Sequence, residues 1–473
     1  MENNNEMSIQ DKVKNQLNSV GCGMCLAKWT QVTIHLQLGR THSCHHPDTH
    51  PIPLSELERN PSALHNTKFK KEKRKEMLEG GRPKECQYCW NVEDSSSQYS
   101  DRIFKSSEPW SLPYMDEIVN LDWRENFNPR YVEVAFSNTC NFKCSYCGPS
   151  FSSQWVQEAE RYGGYPTSSK FNNIEHFIKE GRMPFKSSDP NPYVDAFWKW
   201  WPDLYRDLDT FRITGGEPLL SKDTWNVLDY IINEKEPNRE LHLAINSNLG
   251  VPDNLIDNLI EKINKIEDEQ RVKDFVLFTS VDGWGEQAEY GRHGLIFNKF
   301  WDNLNKILLK CPTVTIGIMS TYNALSVTTY DKLITEVYKL KKEYASNDRA
   351  WTTPISLDAS YLRYPLHQTV QILPHQFSPI VKSHADLAES YEEVFHTGLN
   401  ENGVSYGFTQ MEIPKIKRIY DWMIAPQDLR QQNYNRKDFY LFFEEHDKRR
   451  GTNFCKTFPE FEEFYNFCKN IQL

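Results

Sequence analysis

Three cysteines in one short loop, Cys140, Cys144 and Cys147, carry the plainest chemistry in this chain. Spaced C-x3-C-x2-C, they can ligate three irons of a cubane and leave the fourth iron without a protein ligand. Electron-transfer cubanes ordinarily take four thiolates, so an open iron implies that something else binds there. A partial zinc site is the alternative, although structural zinc sites present four ligands and this loop offers no obvious fourth. A second group lies upstream: Cys25, Cys44, Cys86 and Cys89 supply four thiolates, enough for a closed metal site. Zinc competes with iron and sulfide there, because 22/25 and 86/89 are C-x2-C pairs and His42, His45, His46 and His50 crowd Cys44. Those histidines read as a polar loop, and Cys22 is a fifth thiol that could replace Cys25 or stand spare. Eight of the eleven cysteines precede residue 150 in short clusters, which in a reducing compartment read as metal ligands and not as disulfides.

The elements that must position these residues follow from periodicity. Before the three-cysteine loop, Val132, Val134 and Phe136 alternate as in a strand, and residues 137–139 break it. Strands then alternate with helical stretches, the pattern of a parallel α/β sheet. They fall at 211–214, 241–248, 275–283 and 313–323, with a sixth at 369–374 or around 355–357. Their polar ends lie on the carboxyl side, where parallel α/β folds build sites. Gly215 and Gly216 let backbone groups approach a ligand without Cβ interference. Glu217 beside them can accept hydrogen bonds from an ammonium group. Asn246 or Ser247 ends the next strand, in a ligand-facing or a turn role. Ser280 and Asp282 end the one after, and Arg292 follows with a guanidinium suited to a carboxylate.

C-x3-C-x2-C, with GGEP about 70 residues later and S-V-D-G beyond it, resembles the radical S-adenosylmethionine (SAM) superfamily. The resemblance implies a partial (β/α)6 TIM-like barrel and a [4Fe–4S] cluster held by Cys140, Cys144 and Cys147. SAM would chelate the open iron and be cleaved reductively to a 5′-deoxyadenosyl radical that abstracts hydrogen from substrate. It also implies that Tyr146 packs beside the adenine. Gly215, Gly216 and Glu217 would hold the SAM amino group, with Ser280, Arg292 and Asn246 at its ribose and carboxylate end. Upstream, C25-x13-G39-x4-C44 resembles the half-motif of SPASM and twitch domains, which hold auxiliary [4Fe–4S] clusters but normally follow the barrel. Such enzymes often modify peptides, so a peptide or protein substrate is expected, with a sugar, nucleotide or other small metabolite as the alternative. A reducing partner such as flavodoxin or ferredoxin is implied as well. A zinc-stabilised binding protein without catalysis is the reading from another class.

By length and pattern the 473 residues divide into a flexible tail at 1–20, a cysteine-rich α+β cluster domain at 21–110, a barrel at 125–375 and a helical C-terminal region at 376–473. The barrel carries an aromatic insertion at about 155–209. Within the cluster domain, 54–78 reads as one helix with a basic, solvated centre, and 91–129 as a linker. Net charge of −10 argues against nucleic acid as a partner. No apolar run reaches membrane-span length and the polar start is not a signal peptide, which predicts a cytosolic protein.

Overall fold

The computed structural model describes residues 7–186, 188–392 and 403–473. Eleven strands occur among them. The first six are β1 (Gln31–His35), β2 (Arg40–His42), β3 (His50–Pro51), β4 (Tyr131–Ala135), β5 (Lys143–Cys144) and β6 (Thr210–Thr214). The rest are β7 (His242–Asn246), β8 (Asp274–Thr279), β9 (Arg292–His293), β10 (Thr315–Tyr322) and β11 (Ile355–Tyr361). The protein is mixed α/β: nine strands make a mostly parallel sheet, and β5 with β9 makes a separate antiparallel pair. The chain divides into two compact units. One comprises residues 1–137, 185–215 and 235–243, and the other 138–184, 216–234 and 244–473.

In the first unit β4 is flanked by parallel neighbours on both sides, β6 on one and β1 on the other. The β1 pairing runs in unbroken register from Gln31 opposite Tyr131 to His35 opposite Ala135. Val32, Ile34, Val132, Val134, Phe211 and Ile213 are fully buried, the β-branched and aromatic composition that a covered parallel strand requires. The opposite edge of β1 carries β2 and β3 as an antiparallel meander. The aromatic run of the insertion forms the helix Pro192–Asp207, which lays Phe197 and Trp201 against Phe211, so it packs as expected. Each such ring buries apolar surface that stabilises the fold by about 2 kcal/mol or more.

Several expectations for this unit are corrected. Of the two readings of residues 1–20, a frayed helix or a disordered tail, the described part is a helix, Ile9–Val20, capped by Ser8 and burying Val13 and Leu17; residues 1–6 lie outside the described residues. The predicted single helix at 54–78 is three pieces, Leu54–Leu57, Pro61–Leu64 and Lys68–Leu78. Asn60 caps the middle piece by accepting from Ser62 N, and Pro61 at its start has no N–H to continue the first. The basic run is not simply a solvated face. Lys70 and Arg74 point inward, with Lys70 Nζ 3.0 Å from His65 Nδ1 and Arg74 donating to Asn66 Oδ1 at 2.8 Å. The glutamates cover only the outward lysines, as Lys73 with Glu76 at 2.9 Å. The supposed linker holds the helices Asp101–Ser107 and Met115–Asn120, the first pinned by a buried Arg102–Glu93 ion pair at 2.8 Å.

In the second unit β10 pairs in parallel with β8 and β11. The sixth strand is therefore 355–361, and 369–374 is not one. That stretch makes a 3-10 turn at Val370–Ile372, with the Gln371 side chain bonded to the Trp422 carbonyl. The helices Asp253–Asp268, Phe297–Lys310 and Tyr330–Glu343 each bury a stripe of leucine, isoleucine, valine or phenylalanine at helical spacing. The C-terminal part is helical as expected, with Leu429–Arg450 its longest element. Asp438 on that helix accepts from the backbone of Ser168 and Ser169, and Lys341 is buried against Glu412 at 3.0 Å. No helix among the described residues is long and apolar enough to cross a membrane.

Candidate functional site

The cysteine loop of the second unit is fixed by its own backbone and by its neighbours. Cys140 Sγ accepts from Phe142 N at 3.4 Å, and Cys147 N donates to the Cys144 carbonyl at 2.9 Å, which folds the segment into a turn. Cys144 lies in β5, opposite Arg292 of β9. The helix Ser153–Tyr162 packs beside the loop: Ser152 Oγ donates to the Phe142 carbonyl at 2.7 Å and Trp155 Nε1 to the Cys144 carbonyl at 3.0 Å. Burial raises all three thiols, Cys147 to about 12, and Cys140 is raised further by the nearness of Cys144 and Cys147. The three half-buried thiols lie near one another in the loop.

Gly215 has φ +125°, in the region that favours glycine. A Cβ on Gly216 would stand 2.4 Å from the Thr139 carbonyl oxygen, so only glycine lets the chain pass this close to the loop. Glu217 N donates to that same oxygen at 2.7 Å. The Glu217 side chain is buried at 1% exposure and accepts from Leu219 N at 3.0 Å and Asn248 N at 2.6 Å. Burial raises its pKa to about 7, against those two hydrogen bonds and one from Ser247. Asn248 then reaches the loop: its Nδ2 is 2.8 Å from Asn141 Oδ1 and 4.0 Å from Cys140 Sγ, and its Oδ1 accepts from Gly250 N. A second bridge starts at Asp282, which accepts from Arg292 Nε at 2.8 Å, Arg292 Nη2 at 3.0 Å, Tyr146 Oη at 2.7 Å and Thr321 N at 2.8 Å. Arg292 Nη1 lies 3.7 Å from Cys144 Sγ.

Of the residues singled out in the sequence, Cys140, Cys144, Cys147, Tyr146, Glu217 and Arg292 thus belong to one connected network. Ser280 stands half-buried just past β8, and Asn246 ends β7 with Nδ2 3.9 Å from Met319 Sδ. In both cases the residue that joins the network lies two positions further on, Asp282 and Asn248. Asn248 is the member of this network that periodicity missed. Its only sequence signal is the S-N-L-G turn in which it sits, where an Asx side chain commonly folds back on the backbone.

The four upstream cysteines meet in the first unit. Cys25, Cys44, Cys86 and Cys89 line one small cavity, together with Lys28, His46 and Trp90 among others. Burial pushes Cys25 up to about 12, with Cys44, Cys86 and Cys89 adding to it, and Cys89 up to about 11. Lys28 is buried against Glu85. Burial opposes its charge, yet the neighbouring Cys86 and Glu85 prevail and raise its pKa. Cys22 is exposed, with its Sγ on the Gly80 carbonyl, and does not line the cavity. His42 stacks on His35 and His46 bonds Asp101 at 2.6 Å, so these histidines are structured parts of the block. Among the described residues no three His, Cys, Asp or Glu side chains converge on a single ion position. A single bound ion holds its ligands about 2.0–2.3 Å from a shared centre. Thiolates around a four-iron cluster each meet a different iron, so for such a group the shared cavity is the more telling observation.

No protein-family model matches the chain, and no curated protein matches its sequence. Among solved structures, a hexahistidine-tagged protein described as "anSMEcpe with bound AdoMet" aligns with 54% of this chain at 14% identity and a TM-score of 0.32. The alignment spans 56% of that protein, so just over half of each chain is compared.

Proposed function

We propose that the second unit binds a [4Fe–4S] cluster through Cys140, Cys144 and Cys147 and SAM at its open iron, which makes the chain a radical SAM enzyme on a TIM-like barrel. The observation that carries this reading is convergence. Residues of GGEP, S-N-L-G, S-V-D-G and G-R-H-G, far apart in sequence, are joined to one three-thiol loop by hydrogen bonds of named geometry. The thiols fit such a group, being half-buried, mutually close and free of disulfides. Bound there, the cluster and the sulfonium cofactor supply the one-electron C–S cleavage that yields a 5′-deoxyadenosyl radical.

The chain's own part is to bind and orient. Glu217 would offer its carboxylate to the SAM ammonium: the two oxygens accept from Leu219 N, Asn248 N and Ser247, which leaves acceptor capacity for one more donor. The Gly215–Gly216 backbone lines the same place, and Tyr146 stands by the adenine with its hydroxyl tied to Asp282. Ser280 and Asn246 serve the ribose and carboxylate end. The upstream thiols Cys25, Cys44, Cys86 and Cys89 hold an auxiliary iron–sulfur cluster, zinc being the alternative ion for that cavity. The substrate class that suits this reading is a peptide or protein, before a sugar, nucleotide or other small metabolite, with flavodoxin or ferredoxin as electron donor.

Anaerobic reconstitution tests the proposal. Two four-iron clusters bring roughly eight irons per chain. Replacing Cys140, Cys144 and Cys147 with alanine should remove about half of them, and 5′-deoxyadenosine should form from SAM after dithionite reduction. A colourless, zinc-loaded protein that leaves SAM intact would sink the reading.

A further inference from the structure

We propose that Arg292, clamped by Asp282, is the residue that sets the electron affinity of the group held at the three-cysteine loop, acting most directly through Cys144, the one of the three sulfurs that it touches. This rests on the function proposed above and adds a role for a residue that the sequence placed on the SAM carboxylate.

The placement is built into the backbone. β5 and β9 pair antiparallel with Cys144 directly opposite Arg292, so the two side chains rise as neighbours. The guanidinium is then committed atom by atom. Nε and Nη2 form a fork on the two Asp282 oxygens at 2.8 and 3.0 Å, Nη2 also reaches Tyr146 Oη, and Nη1 is left for Cys144 Sγ at 3.7 Å. Asp282 is fixed in turn by Thr321 N and the Tyr146 hydroxyl. Arg292 and Asp282 are 6% and 7% exposed, so water does not screen them. A fork whose release would leave a buried carboxylate unpaired is not free to turn toward another anion. The geometry therefore favours the thiol over a ligand carboxylate as the third partner.

The three thiols are inequivalent as a result. Cys140 Sγ meets two neutral donors, Phe142 N at 3.4 Å and Asn248 Nδ2 at 4.0 Å. Cys147 Sγ has its nearest polar partner in the Gly148 carbonyl at 3.9 Å, an acceptor. Of these three sulfurs, Cys144 is the one with a cationic hydrogen-bond donor, Arg292 Nη1. A positive charge and an N–H···S bond stabilise electron density on a thiolate, so they favour the reduced state of whatever the thiolate binds and raise its potential. Arginine stays charged at any working pH, which makes the effect independent of pH. Asp282 works in the opposite sense, since its negative charge offsets part of the guanidinium.

The test uses the full chain reconstituted anaerobically, with redox titrations followed by the electron paramagnetic resonance signal that responds to SAM. Arg292→Gln should shift the midpoint to lower potential. Arg292→Lys, which keeps the charge and loses the fork, should fall between it and wild type. Asp282→Asn should shift the midpoint the other way, to higher potential. A merely structural pair would not give shifts of opposite sign. Unchanged midpoints, or shifts of one sign in Arg292→Gln and Asp282→Asn, overturn the inference. Loss of the iron from both variants overturns it too, because the pair would then be scaffold for the loop. If instead wild type itself shows no SAM-responsive signal, it is the radical SAM reading that has failed.

Discussion

Replacing Glu217 with glutamine isolates a single buried carboxyl in the middle of the site. Its pKa is raised from 4.5 to about 7, chiefly by burial. The folded protein therefore holds a proton there at pH values where the unfolded chain has released it. The stabilisation linked to that proton is fully present below the unfolded pKa and is lost as pH rises through about 7. About 2.5 pH units at about 1.4 kcal/mol each give roughly 3 kcal/mol in all, of which about 2.5 kcal/mol disappears between pH 5 and pH 8. Glu217→Gln has no proton to lose, so wild-type stability measured against the variant should fall by that amount across this range. Depressed histidines such as His293 and His384 titrate in both proteins and cancel in the difference. Urea unfolding of the metal-free chain, followed by tryptophan fluorescence at each pH, supplies the two curves. Parallel curves would refute the reasoning, for they would mean that the carboxyl is already ionised in the fold near pH 5. A gap that widened in favour of wild type with rising pH would mean that a cation, and not burial, governs Glu217.

Gly216→Ala drives a Cβ to 2.4 Å from the Thr139 carbonyl, a backbone contact that cannot yield cheaply. It should cost about 1–3 kcal/mol or more and lower the iron retained at the neighbouring loop, read by thermal unfolding and iron analysis. Cys22→Ser should leave the metal content of the first unit intact, because its thiol lies outside the cavity, while Cys89→Ser should reduce it; equal losses would place Cys22 among the ligands. Glu412→Ala strips Lys341 of its buried counter-ion and leaves Leu357 N and Thr409 N without their acceptor. A loss of about 3–5 kcal/mol is expected in denaturant, with the absorption spectrum of the reconstituted protein unaltered.

The sequence made the loop and its strands legible for physical reasons. Cysteine spacing is a local quantity, and so is the period-two burial of Val132, Val134 and Phe136, so both survive without knowledge of the fold. The parallel α/β pattern was readable likewise from buried runs such as those of β8 and β10. What could not be read was any choice settled by a distant partner. Ser280 and Asn246 were favoured as strand-end polar residues, yet the bridging bonds go to Asp282 and Asn248, whose partners come from the loop over a hundred residues away. The Arg292–Asp282 ion pair is likewise invisible until β9 meets β5. Lys70 and Arg74 sit in a run that looks solvated by composition, and only the tertiary position of His65 and Asn66 draws them inward. Periodicity allows a strand at 369–374 or around 355–357; the observed strand is Ile355–Tyr361, and the turn at Val370–Ile372 decides against the other.

The pairing of β1 with β4 has a consequence for how the nascent chain matures. The partners are 100 positions apart, as Gln31 opposite Tyr131 shows. At roughly 5–20 residues per second, β1 leaves the ribosome about 5–20 seconds before the strand it must join. Through that interval one of its edges is covered by the β2 meander and the other offers open N–H and C=O groups, a template for mispairing. Cys25, Cys44, Cys86 and Cys89 are all translated within the same window, so an ion or cluster gathered by them would anchor the block while it waits for its sheet.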